Sequence, residues 1–241
     1  MTLFAIADLH LSFGSDKPMD VFGPQWKDHA ERLRTAWTET VAADDVVLVP
    51  GDISWAMHLP ELVPDLAFLD ALPGRKILLR GNHDYWWTTL AKMDRFLVEH
   101  GFSTISFLRN TGVRLPEQDP GGPGTVVCGT RGWLLPEDSA FGAADEKILA
   151  REVARLNLSL AEGERIRCAG DRLVVALHYP PMTAHQCPTP FSEVLEAHGA
   201  DVCVFGHLHG EAAGRGVSGV VNGVLYRNAS ADHISFKPLP L

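Results

Sequence analysis

The sequence has few cysteines, and their arrangement excludes two classes of small stabilised protein. Four cysteines among 241 residues stand at the widely separated positions 128, 168, 187 and 203. That scatter fits neither a disulfide framework nor a zinc site built from paired cysteines. We therefore expect a reduced protein, because thiols that are neither bridged nor bound to metal are typical of the cytoplasm.

The sequence also shows no segment of the kind that spans a membrane or directs secretion. No apolar run approaches the roughly 20 residues that a transmembrane helix needs. The first stretch, MTLFAIADLHLS, contains no Lys or Arg, and no small-residue cleavage site follows it, so it lacks the pattern of a secretory signal. We expect a cytoplasmic location and no membrane partner.

Basic residues are too few to form a broad cationic face. The chain has 21 Lys and Arg against 30 Asp and Glu, which gives a formal net charge of -9. This balance excludes a broad nucleic-acid-binding surface, although a local cationic pocket is compatible with it. The partner that we expect is a small substrate, and the oligomeric state is left open.

The overall composition is that of an ordinary globular protein. The composition is 46% hydrophobic and 21% charged, which is typical of a protein with one packed core. A chain of this length favours one domain, residues 1–241, over two small ones. Short aliphatic runs alternate with amphipathic stretches, and this rhythm predicts an α/β fold.

The alternation predicts individual strands and helices. The predicted strands are Leu3 to Ala7, Val46 to Val49, Lys76 to Leu79, Thr125 to Cys128, Leu173 to Leu177, Val202 to Phe205, Gly216 to Val221 and Val224 to Asn228. The predicted helices are Asp28 to Val41, Glu61 to Ala71, Thr88 to His100, Ala143 to Leu160 and Phe191 to His198. Asn222-Gly223 favours a two-residue hairpin because both residues tolerate positive φ. The segment Pro116 to Gly124 is interpreted as another hairpin tip.

Candidate metal ligands follow five of these strands at the points where the strands end. They are Asp8 and His10, then Asp52, then Asn82, then His178, and finally His207 and His209. In open α/β sheets the crevice beyond the carboxyl ends of the strands binds ligands, so we expect these side chains to converge. The i, i+2 spacing within each pair places both members on one face of an extended segment.

The chemistry of these groups predicts two metal ions and a phosphoester substrate. Seven ligands are too many for one zinc, but they suit two ions if one carboxylate bridges. Imidazole and carboxylate without thiolate favour Mn, Fe, Zn, Co or Ni over calcium. With a shared hydroxide the net charge is about +1, which attracts an anion. Two ions roughly 3.5 to 4 Å apart stabilise in-line displacement at phosphorus, so hydrolysis of phosphoesters is the expected reaction.

At this point the sequence resembles the calcineurin-like metallophosphoesterases. Their ordered motifs are all present, as DLH, GD, GNHD, LHYP and GHLH between Asp8 and His209. The resemblance implies a two-sheet β-sandwich flanked by helices and an enzyme in which a metal-bridging hydroxide attacks phosphorus. It also implies one ion held by Asp8, His10 and His209, a second held by Asn82, His178 and His207, and Asp52 as the bridge.

The tetrapeptide Gly81 to Asp84 gains three roles from the same resemblance. Besides the ligand Asn82, His83 is expected to act on the leaving-group oxygen or on the charge of the transition state. Asp84 is expected to hydrogen-bond the His83 ring and to keep that ring cationic. Gly81 is expected to let the backbone turn at the end of the strand.

Several alternatives stay open at the level of sequence. A non-catalytic scaffold with this fold is disfavoured, because such proteins typically lose ligands and none is lost here. A phosphodiesterase is preferred to a phosphomonoesterase, since a net charge of about +1 balances a diester monoanion. Arg131 is a candidate contact for substrate phosphate. For Trp55, Trp86 and Trp87 core packing is the favoured interpretation, and a substrate platform is the alternative.

Overall fold

Two mixed β-sheets lie face to face in the computed structural model, which describes residues 1–116, 122–183, 185 and 187–241. The first sheet has the order β11-β1-β2-β3-β4, with strands Leu239–Pro240, Leu3–Ala5, Val46–Pro50, Arg75–Leu79 and Ile105–Phe107. The second has the order β5-β6-β7-β8-β10-β9, with strands Val113–Leu115, Thr125–Thr130, Arg172–Leu177, Val202–Phe205, Val224–Asn228 and Gly219–Val221. Neighbouring strands are parallel except for the pairs that include β11, β5 or β9.

Helices cover the outer face of each sheet. The helices are α1 (His29–Thr40), α2 (Leu59–Ala71), α3 (Leu90–His100), α4 (Asp145–Ile166) and α5 (Pro190–Ala197). Short 3-10 helices span Met19–Phe22, Pro24–Trp26 and Gly210–Arg215. Apolar residues of α1, α2 and α3 share a core with the first sheet, and those of α4 and α5 share one with the second. No helix in the described part of the chain is long and apolar enough to cross a bilayer.

The central strands are apolar on both faces because both faces are covered. In β2, Val46 and Leu48 point into the core between the sheets, while Val47 and Val49 face the helices. Strand β7 repeats the pattern, with Val174 facing the other sheet. Continuous apolar strands of this kind are typical of buried parallel sheets. Each fully buried aliphatic side chain contributes about 1.5–3 kcal/mol to the stability of the fold. The core between the sheets and the cores under the helices therefore hold the strand ends in fixed positions.

The expectation of a two-sheet sandwich flanked by helices is confirmed. All the strands and helices predicted from the sequence are present, with shifted ends, and α4 continues six residues beyond the predicted Leu160. The hairpin at Asn222-Gly223 is confirmed, with φ of 49° and 87°. The strands that flank the predicted loop of Pro116 to Gly124 pair antiparallel, although residues 117–121 of that loop lie outside the described residues. Strands β4, β5 and β11 were not predicted, because each has only two or three residues.

The segment after β1 joins the two sheets at their carboxyl edge. The Ala7 N–H donates to Ala229 O and the Ala231 N–H donates to Ala7 O, so this segment pairs with the end of the second sheet. Three residues later it pairs with the segment that follows β2 of the first sheet, where the His10 N–H donates to Asp52 O at 2.9 Å. The predicted ligands Asp8 and His10 therefore lie in a segment that is hydrogen-bonded to both sheets.

Candidate metal centre

The seven predicted ligands meet at the carboxyl edge between the two sheets. Ligand atoms of Asp8, His10 and His209 lie within 4.8 Å of one another, and so do those of Asp8, Asp52 and His178. The remaining two residues join this group through Asn82, whose Oδ1 is 3.0 Å from Nδ1 of His207 and 2.6 Å from Nε2 of His178. Residues more than 190 positions apart in the chain thus form one site, as the strand-end pattern predicted.

Four of the ligands adopt a left-handed backbone conformation. The φ angles are 60° for Asp8, 46° for His10, 51° for Asp52 and 72° for His207. Such angles cost energy in residues other than glycine and persist only where surrounding contacts impose them. Here the Asp8 N–H donates to Gly51 O at 2.9 Å, and the His207 N–H donates to Asp8 Oδ2 at 2.8 Å. The strained residues therefore hold one another in place.

Gly81 provides space for a ligand, and a left-handed backbone is not the reason for a glycine at this position. Its φ is not in the left-handed region that favours glycine. A Cβ atom at Gly81 would lie 2.1 Å from Oδ1 of Asp52, far inside contact distance. Gly206 has the same function for the other carboxylate, since a Cβ there would lie 2.5 Å from Oδ2 of Asp8. The glycines of the GN and GH motifs thus belong to the packing of the site.

The donor set fits a cation, because lone pairs face one another across the site. Nδ1 of His178 lies 3.0 Å from Pro50 O and so carries the hydrogen, which leaves a lone pair on Nε2. That lone pair faces Asn82 Oδ1 at 2.6 Å and Asp52 Oδ2 at 3.6 Å, both of which are also acceptors. Buried Oδ1 of Asp8 has no hydrogen-bond partner among the described residues. Acceptors buried in this way are stabilised by a positive ion.

Burial keeps three of the four ligand imidazoles in the neutral form that binds metal. Burial lowers the pKa of His10, His178 and His207 to about 3 each. The same loss of solvent raises the pKa of Asp8 to about 8, although the charge of His209 opposes this and Asp52 adds to it. Neutral imidazole is the ligating form, and a nearby cation would favour the charged form of Asp8.

Asp232 is a functional residue that the sequence interpretation missed. Its Oδ1 lies 2.9 Å from Nδ1 of His209, and its Oδ2 accepts the Gly210 N–H at 2.9 Å. Burial lowers the pKa of His209, but the bond to Asp232 and the charges of Asp8 and Asp52 outweigh it and raise that pKa to about 8. Carboxylates commonly orient a metal-binding histidine in this way. No motif precedes Asp232, and only its hydrogen bonds identify it.

The predicted hydrogen bond between Asp84 and the His83 ring was wrong. The Asp84 carboxylate is buried and accepts hydrogen bonds from five N–H groups, those of Asp52, Ile53, Ser54, Gly81 and the Trp86 indole. Four of these five donors belong to the backbone beside the ligands Asp52 and Asn82. The His83 ring instead has Nδ1 3.4 Å from the Tyr85 hydroxyl. Burial lowers the pKa of His83, with Asp52 opposing, so Asp84 does not keep the ring cationic.

A cleft with aromatic walls opens beside His10, His83 and His209. Its volume is about 760 Å³, and Trp55 forms part of its wall. The Trp55 ring stacks on His10 with centroids 5.0 Å apart and lies 4.5 Å from the His83 ring. Trp86 is 3% exposed and packs on Phe107 in the core, as the favoured interpretation held. Trp55 thus occupies the position that the alternative, a substrate platform, requires.

Arg131 lies beside a different and smaller cavity. Its guanidinium is 3.7 Å from the carboxylate of Glu152 and 4.3 Å from the centre of the Trp133 ring. The cavity, of about 50 Å³, is lined by other arginines and is distinct from the cleft beside His83. A contact between Arg131 and substrate phosphate stays a prediction.

Replacing Asp84 by Asn tests its role in supporting the ligands. The new amide group would direct N–H donors at N–H donors, so we expect the free energy of unfolding to fall by about 1–3 kcal/mol. Metal affinity should fall by about 10- to 100-fold, because the backbone that holds Asp52 loses its anchor. Urea unfolding and metal titration measure the two effects. Asp94→Asn, on the exposed face of α3, is the matched control, and wild-type values for Asp84→Asn would contradict the role.

Comparisons with known proteins place this site in a family. A family model described as calcineurin-like phosphoesterase matches residues 1–211. The gene 66 proteins of Mycobacterium phages D29 and L5 are 39% identical over 79 residues and 34% identical over 80. Each match covers 32% of this chain and, respectively, 38% and 37% of the relative, so the chain spans about two fifths of those proteins.

Solved structures share the fold across nearly the whole chain. A protein of unknown function from Aquifex aeolicus matches with a TM-score of 0.50 and 16% identity, over 99% of this chain and 95% of that one. The phosphopantetheinyl hydrolase of Mycobacterium tuberculosis matches with a TM-score of 0.57 and 18% identity, over 100% and 95%. At these identities the two structures show the fold alone. Because the family model covers most of the chain and the site carries its metal-binding groups, the chain belongs to the calcineurin-like phosphoesterase family.

Proposed function

We propose that this chain hydrolyses small phosphodiesters with two divalent metal ions that share Asp52. The observation that carries the proposal is the position of Oδ2 of Asp52 between two sets of ligands. This atom lies 3.7 Å from Nε2 of His10 on one side and 3.6 Å from Nε2 of His178 on the other. A single carboxylate oxygen that faces ligands of both sets has the position that a bridging ligand requires.

The residues fit two ions of transition-metal type. Asp8, His10 and His209 would hold the first ion, and Asn82, His178 and His207 would hold the second. The donors are nitrogen and oxygen without thiolate, a set that favours Mn and also suits Fe, Zn, Co or Ni. When bound, two such ions supply Lewis-acid stabilisation of phosphoryl oxygens and make water more acidic.

His83 would donate a proton to the leaving group. The ring of His83 borders the cleft. The backbone N–H of His83 donates to Oδ1 of Asp52 at 2.8 Å, which fixes the residue next to the metal ligands. Burial lowers the pKa of His83, and the nearby Lys17 also lowers it. An anionic phosphoester has the opposite effect and favours the protonated ring. Substrate binding would therefore help the ring to take up a proton from water, which it would pass to the leaving oxygen.

The cleft favours a phosphoester that carries an organic group over inorganic phosphate. A volume of about 760 Å³ is within the usual range for sites that bind small molecules. Half-exposed Phe22, Met57 and Tyr85 line it together with Trp55, so an apolar or planar group would find contacts there. A diester has a second ester group to place in this space. A phosphomonoesterase with the same site is the second candidate, because an additional arginine could neutralise a dianion.

Substituting the proposed bridge should affect both ions at once. In Asp52→Asn we expect metal content to fall well below two ions per chain and nearly all turnover to be lost, because both ions lose a charged ligand. His209→Ala, which removes one terminal ligand, should mainly reduce one ion. Elemental analysis of purified, metal-loaded protein measures this, with Asp94→Asn as the control. Two tightly bound ions in Asp52→Asn would refute the bridge.

Removing the His83 ring should separate turnover from metal binding. For His83→Ala we expect unchanged metal content and a fall in kcat of about 10² to 10⁴, the usual contribution of a general acid. The loss should be smaller for the p-nitrophenyl ester of thymidine 5′-phosphate than for the phenyl ester, since nitrophenolate leaves without a proton. His58→Ala, an exposed histidine, is the control. Stoichiometric loss of metal would instead identify His83 as a ligand.

The substrate class is tested by comparing a diester with the matching monoester. On one Mn²⁺-loaded preparation, we expect kcat/KM for bis(p-nitrophenyl) phosphate to equal or exceed that for p-nitrophenyl phosphate. A strong chelator should abolish both activities. If Arg131 contacts the substrate, Arg131→Ala should reduce monoester turnover more than diester turnover. A monoester preference of a hundredfold or more would reject the diester proposal and leave the metal-dependent mechanism standing.

A further inference from the structure

Four arginines line one small cavity next to the metal centre. Arg80 follows β3, Arg109 follows β4, Arg131 follows β6 and Arg155 belongs to α4. The cavity has a volume of about 50 Å³, whereas one water needs roughly 10–15 Å³ of such space. The cavity is therefore large enough for a small polyatomic ion.

The positive charge of the cavity is only partly neutralised. Glu152 is the one carboxylate among the lining residues, and it is completely buried. Its oxygens are engaged by Arg155 at 2.6 Å and by the hydroxyl of Thr130 at 2.8 Å, with Arg131 at 3.7 Å. Among the lining residues one carboxylate thus faces four guanidinium groups. Outside the lining, Asp84 also attracts Arg80, and Nε of Arg151 lies 3.9 Å from Glu152. Such a local excess attracts anions.

Two of the guanidinium groups have buried donors without acceptors. Nε of Arg80 and Nε of Arg131 are both buried and have no hydrogen-bond partner within the described ranges. The Arg80 side chain also makes no ion pair with any residue that the structure describes. Most buried donors in proteins are paired, so exceptions indicate a missing acceptor. The planar guanidinium fork matches tetrahedral oxyanions in particular.

We propose that this cavity, which we call the arginine cavity, binds a doubly charged tetrahedral oxyanion such as phosphate at a site separate from the metal centre. The proposal does not depend on the proposed diesterase activity. The cavity shares backbone with the metal ligands, since Arg80 is two residues before Asn82. The carbonyl of Arg131 accepts the His178 N–H at 3.0 Å. An anion bound there would therefore steady two segments that carry ligands.

Binding of sulfate to metal-loaded protein tests the arginine cavity. Isothermal titration at constant ionic strength, with chloride as the reference anion, should give saturable binding of one sulfate that persists in Asp52→Asn. Arg80→Gln should weaken it about tenfold or more, because a charged hydrogen-bonding group is lost. Arg95→Gln, an exposed arginine of α3, should leave it unchanged. Circular dichroism confirms folding, and Arg109→Gln serves as a second variant.

Two results would overturn the proposal. One is the absence of saturable binding, which would mean that water fills the arginine cavity. The other is binding that Asp52→Asn abolishes while Arg80→Gln and Arg109→Gln retain it, which would assign the anion to the metal centre.

The bound oxyanion has two sources, free phosphate or a second phosphoryl group of a substrate. The p-nitrophenyl ester of thymidine 5′-phosphate, with and without a 3′-phosphate, distinguishes them. If the substrate supplies the group, Arg80→Gln should raise KM only for the 3′-phosphorylated ester, and sulfate should compete only with that ester. If free phosphate is the ligand, the two esters should respond alike to the variant, and sulfate should still bind.

Discussion

The mutual repulsion of buried lone pairs between the two sheets is the constraint on which the rest of this structure depends. Nε2 of His178, Oδ1 of Asn82 and Oδ2 of Asp52 face one another with no proton between them, and Oδ1 of Asp8 is buried without a partner. Left alone, such groups would turn away or become protonated. The backbone prevents the rotation, because left-handed residues, close-packed glycines and hydrogen bonds to both sheets hold every ligand in position. The folded chain therefore holds a set of buried acceptors that a positive ion would stabilise.

Two carboxylates outside the ligand set, those of Asp84 and Asp232, hold the repelling ligands in position. Asp84 directs its whole carboxylate at five N–H groups, four of them in the backbone on either side of the first sheet's ligands. Asp232 performs a related function for His209. Neither carboxylate is among the seven ligands, yet both decide where those ligands point. The two apolar layers behind them fix the strand ends, so small rotations that would relieve the repulsion are opposed by packing.

Much of the fold and most of the site could be predicted from the sequence, because the information is local. Apolar strands that end in Asp, Asn or His placed the ligands at one edge, and Asn222-Gly223 specified its hairpin. The roles of Asp84 and Asp232 could not be predicted, since they depend on which distant N–H groups the fold brings near each carboxylate. The role of Gly81 could not be predicted either, because it depends on the close approach of the Asp52 carboxylate. Strands β4, β5 and β11 are too short to produce a period that reveals them.

Two further environments surround the centre, an aromatic cleft beside His10 and His83 and the arginine cavity beside Asn82 and His178. The cleft would act on a substrate held by the ions, so its role depends on whether the centre binds two ions. Anomalous X-ray scattering from crystals of Mn²⁺-loaded protein measures the number of bound ions directly. We expect two peaks roughly 3.5–4 Å apart, with Asp52 between them. A single peak, or peaks that none of the seven ligands touches, would contradict this expectation.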